Sequence, residues 1–127
     1  RAVAETFFHA ASGTLDRIMA GDLPKGEALA VARIAGVQAA KRVDALIPLC
    51  HTLPLEHVEV SFERSASDAI RIEAATVVTA RTGVEMEALT AVNVAALTLW
   101  DMTKAIDKDL RIDGTRLVLK EKASPAS

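Results

Sequence analysis

Two pairs of charged residues bracket a long apolar stretch in the second half of the chain. Glu85 and Glu87 stand one residue apart after a glycine, and Asp101 and Lys104 close the stretch. Carboxylates and amines in these positions can bind a polyanion and transfer protons. Spacing alone leaves simpler interpretations open: Asp101 and Lys104 as a surface ion pair, and the two glutamates as first-turn acids that complement a helix dipole.

Three residues outside that stretch could also take part in chemistry. Lys25 lies in a Pro-Lys-Gly loop just before a predicted helix, where free N–H groups favour an anion, although a solvated lysine is the simpler interpretation. Cys50 and His51 stand between two prolines; the cysteine is typical of a small buried side chain, and the histidine suits either a structural hydrogen bond or a functional role. Because the histidines and Cys50 lack metal-ligand spacing, we expect neither a metal nor a cofactor.

Composition restricts the partners and the compartment. The chain of 127 residues is long enough for one domain, so we expect residues 1–127 to form it, with a frayed tail at 121–127 and a natural start that is missing upstream of Arg1. A formal charge of −2, no tyrosine and one tryptophan predict no nucleic-acid partner. One cysteine, no signal peptide and no apolar run of about 18 residues predict a cytoplasmic protein without a membrane partner.

Hydrophobic periodicity predicts the elements that must position these residues. Alternating apolar residues or turn signals indicate four strands, and apolar runs without alternation indicate three helices. The predicted strands are 2–10, 55–64, 70–81 and 110–120, and the predicted helices are 14–20, 27–43 and 86–106. This order predicts an α+β fold of ferredoxin-like type, a four-stranded antiparallel sheet with helices packed on one face.

Single residues refine this scheme. We expect Ser12 to cap the first helix and Gly21 to end it, and Gly36 to let another backbone approach. Asp113 and Gly114 predict a turn within the last strand.

The long predicted helix separates its charged ends. At about 100° per residue, Glu87, Val94 and Asp101 fall within about 40° of one another. At about 1.5 Å per residue, however, Glu87 and Asp101 lie about 21 Å apart, too far to touch one reacting atom. If both ends are functional, each pocket needs residues from a second subunit.

Three segments resemble one known family. They are Ala-Arg-Ile-Ala-Gly-Val-Gln-Ala-Ala-Lys-Arg at 32–42, Leu-Ile-Pro-Leu-Cys-His at 46–51, and Thr-Gly-Val-Glu-Met-Glu-Ala-Leu-Thr-Ala from 82, continuing to Asp-Met-Thr-Lys-Ala at 101–105. Order and spacing are similar to those of the molybdenum-cofactor biosynthesis protein C family, the cyclic pyranopterin monophosphate synthases, over residues 2–120. Two features depart from the family pattern: Leu23 and Pro24 replace histidines before the loop lysine, and a Gly-Gly-Lys-Ser-Gly tail is absent.

The resemblance implies a lyase that converts 3',8-cyclo-7,8-dihydro-GTP to cyclic pyranopterin monophosphate and releases pyrophosphate. It also implies a hexamer, a trimer of dimers, with the pockets at subunit interfaces. Two other functions remain alternatives: a non-catalytic ferredoxin-like sensor that binds a nucleotide, and an RNA-binding ferredoxin-like domain, which the low aromatic content disfavours.

The resemblance also assigns site residues. The catalytic group it implies is Asp101, Lys104 and Lys25, and the substrate-binding group is Leu49, Cys50, His51, Glu85, Met86, Glu87 and Lys41. Ring rearrangement needs proton transfer, for which Asp101 and Lys104 are suited, and loss of pyrophosphate needs positive charge, which Lys25 can share. We expect His51 and Glu87 to hold the base or the sugar.

Overall fold

The predicted fold class is confirmed in the computed structural model, which describes residues 1–48, 50, 54–78 and 84–121. The strands are β1 (Ala2–His9), β2 (His57–Ala66), β3 (Ala69–Val77) and β4 (Arg111–Lys120). The helices are α1 (Ser12–Ala20), α2 (Ala28–Lys41), α3 (Val43–Leu46) and α4 (Glu85–Thr103). The four strands form one antiparallel sheet in the order β2-β3-β1-β4, and the helices pack on one face of it.

Small side chains bring α4 close to the two central strands. The strand residues that face the helices are buried and include Ala2, Ala4 and Phe8 on β1 and Ile70, Ile72 and Ala74 on β3. The helix side of this contact carries many small residues: Ala88, Ala91, Ala95 and Ala96 are fully buried. These alanines leave room for the larger Phe8, Ile70 and Ile72 of the sheet, so α4 lies close to both strands.

Gly36 sets the distance between α2 and α4, as the sequence predicts. A Cβ atom at this position would lie 3.0 Å from the backbone oxygen of Ala91 and 3.2 Å from a methyl group of Val60. A side chain there would push the helices apart. The glycine is therefore required by the close approach of the α4 backbone.

Some predicted boundaries are wrong. Ser12 is the first residue of α1 rather than its cap; Ala11 occupies the cap position. No side chain caps the first turn of α1. The Asp107 carboxylate instead accepts from the Ala11 N–H at 2.9 Å and from the Thr14 hydroxyl at 2.8 Å, which ties the start of α1 to a residue distant in sequence. Gly21 ends the helix with φ 71°, as expected.

Two further elements differ from the prediction. The helix predicted over 27–43 stops at Lys41 and continues as the short α3. The turn predicted at Asp113 and Gly114 is an irregularity inside a continuous β4: Gly114 has φ 71° and the register with β1 shifts there. An extra residue on one strand is accommodated by a β-bulge, for which a glycine in the left-handed region is suited.

The sheet face opposite the helices carries a buried ionic group that the sequence did not predict. Glu5 on β1 is 3% exposed and accepts from the Nε atoms of Arg71 at 2.5 Å and Arg116 at 2.6 Å. Burial by itself raises the pKa of Glu5, but the hydrogen bonds from Arg116 and Arg71 outweigh it and hold that pKa below the usual value. The two arginines tie β1 to both neighbouring strands.

We predict that Glu5→Gln lowers the free energy of unfolding by about 1.5 to 3 kcal/mol at neutral pH, because it weakens buried hydrogen bonds that are made to charged arginines. In the wild type the native pKa lies below the ordinary value of 4.5, so this stability is present above that pH and is lost as the pH falls through the native pKa. Urea unfolding across this range measures both effects. Glu63→Gln, an exposed glutamate on β2, is the control; equal effects of the two substitutions would contradict the prediction.

Candidate active site

One cluster of charges forms at the C-terminal end of α4. Asp101 Oδ1 lies 3.0 Å from Lys104 Nζ, and Asp101 Oδ2 lies 3.5 Å from Lys25 Nζ. Lys25 Nζ also donates to the Asp101 carbonyl oxygen at 3.3 Å. The structure thus brings together all three residues that the sequence assigned to catalysis, although Lys25 and Asp101 are 76 residues apart.

A tight turn presents Lys25 to this cluster. Leu23 is buried and anchors the loop, and the Gly26 N–H donates to the Leu23 carbonyl oxygen at 2.9 Å. Gly26 has φ 108°, a conformation that other residues rarely adopt. The Pro-Lys-Gly sequence therefore works as a turn that holds the lysine beside the end of α4.

The lysines keep Asp101 ionised. The hydrogen bond from Lys104 and then the charges of Lys25 and Lys104 lower the pKa of Asp101. All three side chains are about half exposed, so the cluster is open to a ligand. With one carboxylate and two ammonium groups it carries one net positive charge, which favours an anionic ligand.

A cleft of about 400 Å³ adjoins the cluster. It is an open cleft that shares Lys104 with the cluster and is otherwise lined by Trp100, Ala105, Asp107, Lys108 and Leu110. Sequence reasoning missed Trp100 and Lys108. Trp100 directly precedes Asp101, and Lys108 follows Lys104 by four residues. These positions were the sequence signals that could have identified them.

A different environment surrounds Glu87 at the other end of α4. Glu87 is 2% exposed, and among the described residues its Oε2 atom has no hydrogen-bond partner. Burial, with the nearby charge of Glu85, raises the pKa of Glu87. Cys50 lies close by: burial, then the charges of Glu87 and Asp44, raise the pKa of its thiol. This end of the helix therefore favours neutral, protonated groups.

The remaining predicted binding residues have mixed positions. Glu85 is half-buried and pairs with Lys120 Nζ at 3.0 Å, whereas Met86 is exposed. Lys41 ends α2 and lines a smaller pocket of about 190 Å³. Leu49 and His51 lie outside the described residues, so the structure does not place them.

The two ends stay apart in one chain. Helix α4 runs without interruption for 19 residues, so Glu87 and Asp101 remain about 21 Å apart along the axis. Within the described ranges, no group of three or more histidine, cysteine or acidic side chains could hold a metal ion. No described helix has both the length and the apolar character needed to cross a bilayer.

Known proteins match this chain over most of its length. The sequence model of the MoaC family matches residues 1–123. The chain belongs to the MoaC family. It is 57% identical over 108 residues to the cyclic pyranopterin monophosphate synthase of Chloroflexus aggregans, which covers 84% of this chain and 66% of the relative. The resemblance drawn from the three sequence segments is confirmed.

Two further relatives carry the same name. The cyclic pyranopterin monophosphate synthase of Corynebacterium efficiens is 53% identical over 119 residues, which is 94% of this chain and 76% of the relative. That of Roseiflexus castenholzii is 55% identical over 120 residues, again 94% of this chain and 76% of the relative. The chain thus spans about two thirds to three quarters of the length of these MoaC relatives.

We predict that Glu87→Gln stabilises the protein at high pH. A raised native pKa means that the folded state retains a proton that the unfolded state loses near pH 4.5, so wild-type stability falls as the pH rises from there through the native pKa. The substitution removes this pH dependence. It should add about 1 to 3 kcal/mol to the free energy of unfolding at pH values well above the native pKa of Glu87. Urea unfolding as a function of pH measures it, with Glu63→Gln as the control; a steeper pH dependence in Glu87→Gln would contradict it.

Proposed function

We propose that the chain is a cyclic pyranopterin monophosphate synthase of molybdenum cofactor biosynthesis. In this proposal it acts as a lyase on the cyclic dihydro-GTP intermediate and releases pyrophosphate. Membership in the MoaC family and the shared name of its relatives support it. The observation that carries it is the ionised Asp101 held between Lys25 and Lys104.

The cluster suits both halves of this reaction. Closing the cyclic phosphate requires a hydroxyl to lose a proton while the bond between the α- and β-phosphates breaks. We assign proton transfer to Asp101 and Lys104, since a carboxylate with a lowered pKa is ready to accept and an ammonium can donate. Lys25 binds phosphate and shares proton donation, because its charge can stabilise the leaving group.

We assign the other end of α4 to the rest of the substrate. The proposed substrate-binding residues are Leu49, Cys50, His51, Glu85, Met86, Glu87 and Lys41. Glu87 is the strongest of these in physical terms, because it is buried and its Oε2 atom has no hydrogen-bond partner among the described residues, so it can hydrogen-bond a ring or a sugar. His51 would share this role.

The distance between the two ends supports pockets shared between subunits. A substrate of nucleotide size cannot bridge about 21 Å along one helix, so each pocket would combine the Asp101 end of one copy with the Glu87 end of another. Exposed apolar residues on the outer faces of α2 and α4 supply a surface for such packing: Val31, Ile34, Met86, Leu97 and Trp100. We propose a hexamer, a trimer of dimers, in the cytoplasm.

The direct test incubates purified protein with the cyclic dihydro-GTP intermediate and measures pyranopterin and pyrophosphate. We expect Asp101→Asn, Lys104→Ala and Lys25→Ala each to reduce turnover about 100-fold or more, because each removes a charge from the reacting centre. Their urea unfolding midpoints should stay close to that of the wild type, since the pairs are exposed and screened by solvent. Arg17→Ala removes another exposed ion pair and is the control. Nucleotide binding without pyrophosphate release would favour the sensor instead.

Mixing two inactive variants tests the shared pocket. Asp101→Asn and Glu87→Gln proteins, each with little turnover alone, are unfolded together, refolded at equal ratio and assayed. If each pocket takes Asp101 from one copy and Glu87 from another, roughly a quarter of the pockets are wild type and activity returns to that level. If the mixture assembles correctly but its activity does not return, Asp101 and Glu87 would belong to a pocket formed by one chain. Sizing chromatography reports the assembly state.

A further inference from the structure

The cleft beside Lys104 contains a third lysine that the proposed reaction does not yet use. Lys108 lines the same cleft as Lys104 and Trp100. Its Nζ atom donates to the backbone carbonyl oxygen of Lys104 at 2.7 Å. This hydrogen bond holds the Lys108 ammonium at the end of α4, on the wall of the cleft.

The charge balance shows why a third cation matters. Asp101 offsets one of its two lysine partners, so these three groups leave one net positive charge. A pyrophosphate group carries more than one negative charge. Lys108 supplies additional positive charge from the lining of the cleft, which it shares with Lys104.

One acid in the cleft lining reduces this positive charge without removing it. The Asp107 carboxylate accepts from the Ala11 N–H at 2.9 Å and the Thr14 hydroxyl at 2.8 Å. A third bond comes from the Asp109 N–H at 2.9 Å, and the bonds from the Ala11 and Asp109 N–H groups lower the pKa of Asp107, so it stays ionised. Asp101 and Asp107 balance Lys25 and Lys104, and the charge of Lys108 keeps the site positive.

The other walls of the cleft strengthen the attraction. Trp100, Ala105 and Leu110 are apolar and displace water from one side of the lysines. Charges interact more strongly where fewer water molecules screen them. A cleft of about 400 Å³ is large enough for a diphosphate.

We propose that this cleft binds the pyrophosphate portion of the substrate and the pyrophosphate product, and that Lys108 is the residue that sets the affinity for it. The identity of the anion rests on the proposed function. The α-phosphate would then lie at Asp101, with the two outer phosphates extending past Lys25 and Lys104 to Lys108. This placement separates the group that stays from the group that leaves.

A purely structural role for Lys108 predicts a different result. A lysine that donates to the last carbonyl groups of a helix stabilises the helix end without any ligand. That role would affect the free energy of unfolding and leave pyrophosphate affinity unchanged. Ligand affinity therefore separates the two roles.

Trp100, the only tryptophan of the chain, reports directly on the cleft. Wild type, Lys108→Met, Lys108→Arg and Arg111→Met are titrated with sodium pyrophosphate, and with sodium sulfate at matched ionic strength, while tryptophan fluorescence is recorded. Arg111 is an exposed cation at the start of β4 that pairs with Asp113, and it is the charge-matched control. Circular dichroism verifies that each variant is folded.

We expect pyrophosphate to change the fluorescence of the wild type and sulfate to do so much more weakly. Lys108→Met should raise the pyrophosphate Kd about tenfold, Lys108→Arg should restore it to within about threefold, and Arg111→Met should match the wild type. Equal affinity in Lys108→Met and wild type, or equal weakening by Arg111→Met, would overturn the proposal. Absence of pyrophosphate binding to the wild type would overturn it as well.

Turnover separates this proposal from the function on which it rests. In an active enzyme, Lys108→Met should raise KM about tenfold and lower kcat less than threefold, because the contact is made before and during the reaction. Lys108-dependent pyrophosphate binding in a protein without turnover would support the cleft and reject the synthase function. Normal turnover together with pyrophosphate binding that does not depend on Lys108 would support the synthase function and reject the proposed role of Lys108.

Discussion

The close packing of α4 against the sheet and against α2 determines where every candidate site residue lies. Ala88, Ala91 and Ala95 are fully buried in this contact, and Gly36 allows the α2 backbone to approach. Because the contact is formed by backbone and methyl groups, it leaves little freedom for the helix to rotate or slide. A rigid α4 then fixes the separation of the two groups of candidate site residues at its ends.

The two ends differ in their electrostatics in a way that suits different tasks. At one end, Asp101 is exposed and kept ionised by Lys104 and Lys25. At the other, Glu87 is buried and its pKa is raised. One environment suits charge stabilisation and proton transfer on an anion, and the other suits hydrogen bonding to a neutral ring or sugar. Carboxyl groups with pKa values moved in opposite directions often have distinct roles in one reaction.

Polar groups from distant parts of the chain complete the framework around that helix. Glu5 ties three strands through Arg71 and Arg116, and Asp107 closes the start of α1. Both carboxylates are buried and fully engaged, so neither is free to bind a ligand. Their pKa values are lowered by the partners that hold them, which marks them as structural acids in contrast to Glu87.

The sequence by itself determined the fold class, the long helix and the separation of its ends, because hydrophobic periodicity and helix rise are local properties that tertiary contacts did not alter. It also determined the family, through three segments whose order and spacing are read directly. Only the tertiary structure decided that Lys25 meets Asp101, that Cys50 lies near Glu87, that Asp107 binds the start of α1, and that Gly114 forms a bulge within β4. Each of these contacts joins residues far apart in sequence or depends on the register between two strands. Local patterns carry no information about such pairs. The pairs form only when α4 packs against the sheet and brings distant segments together.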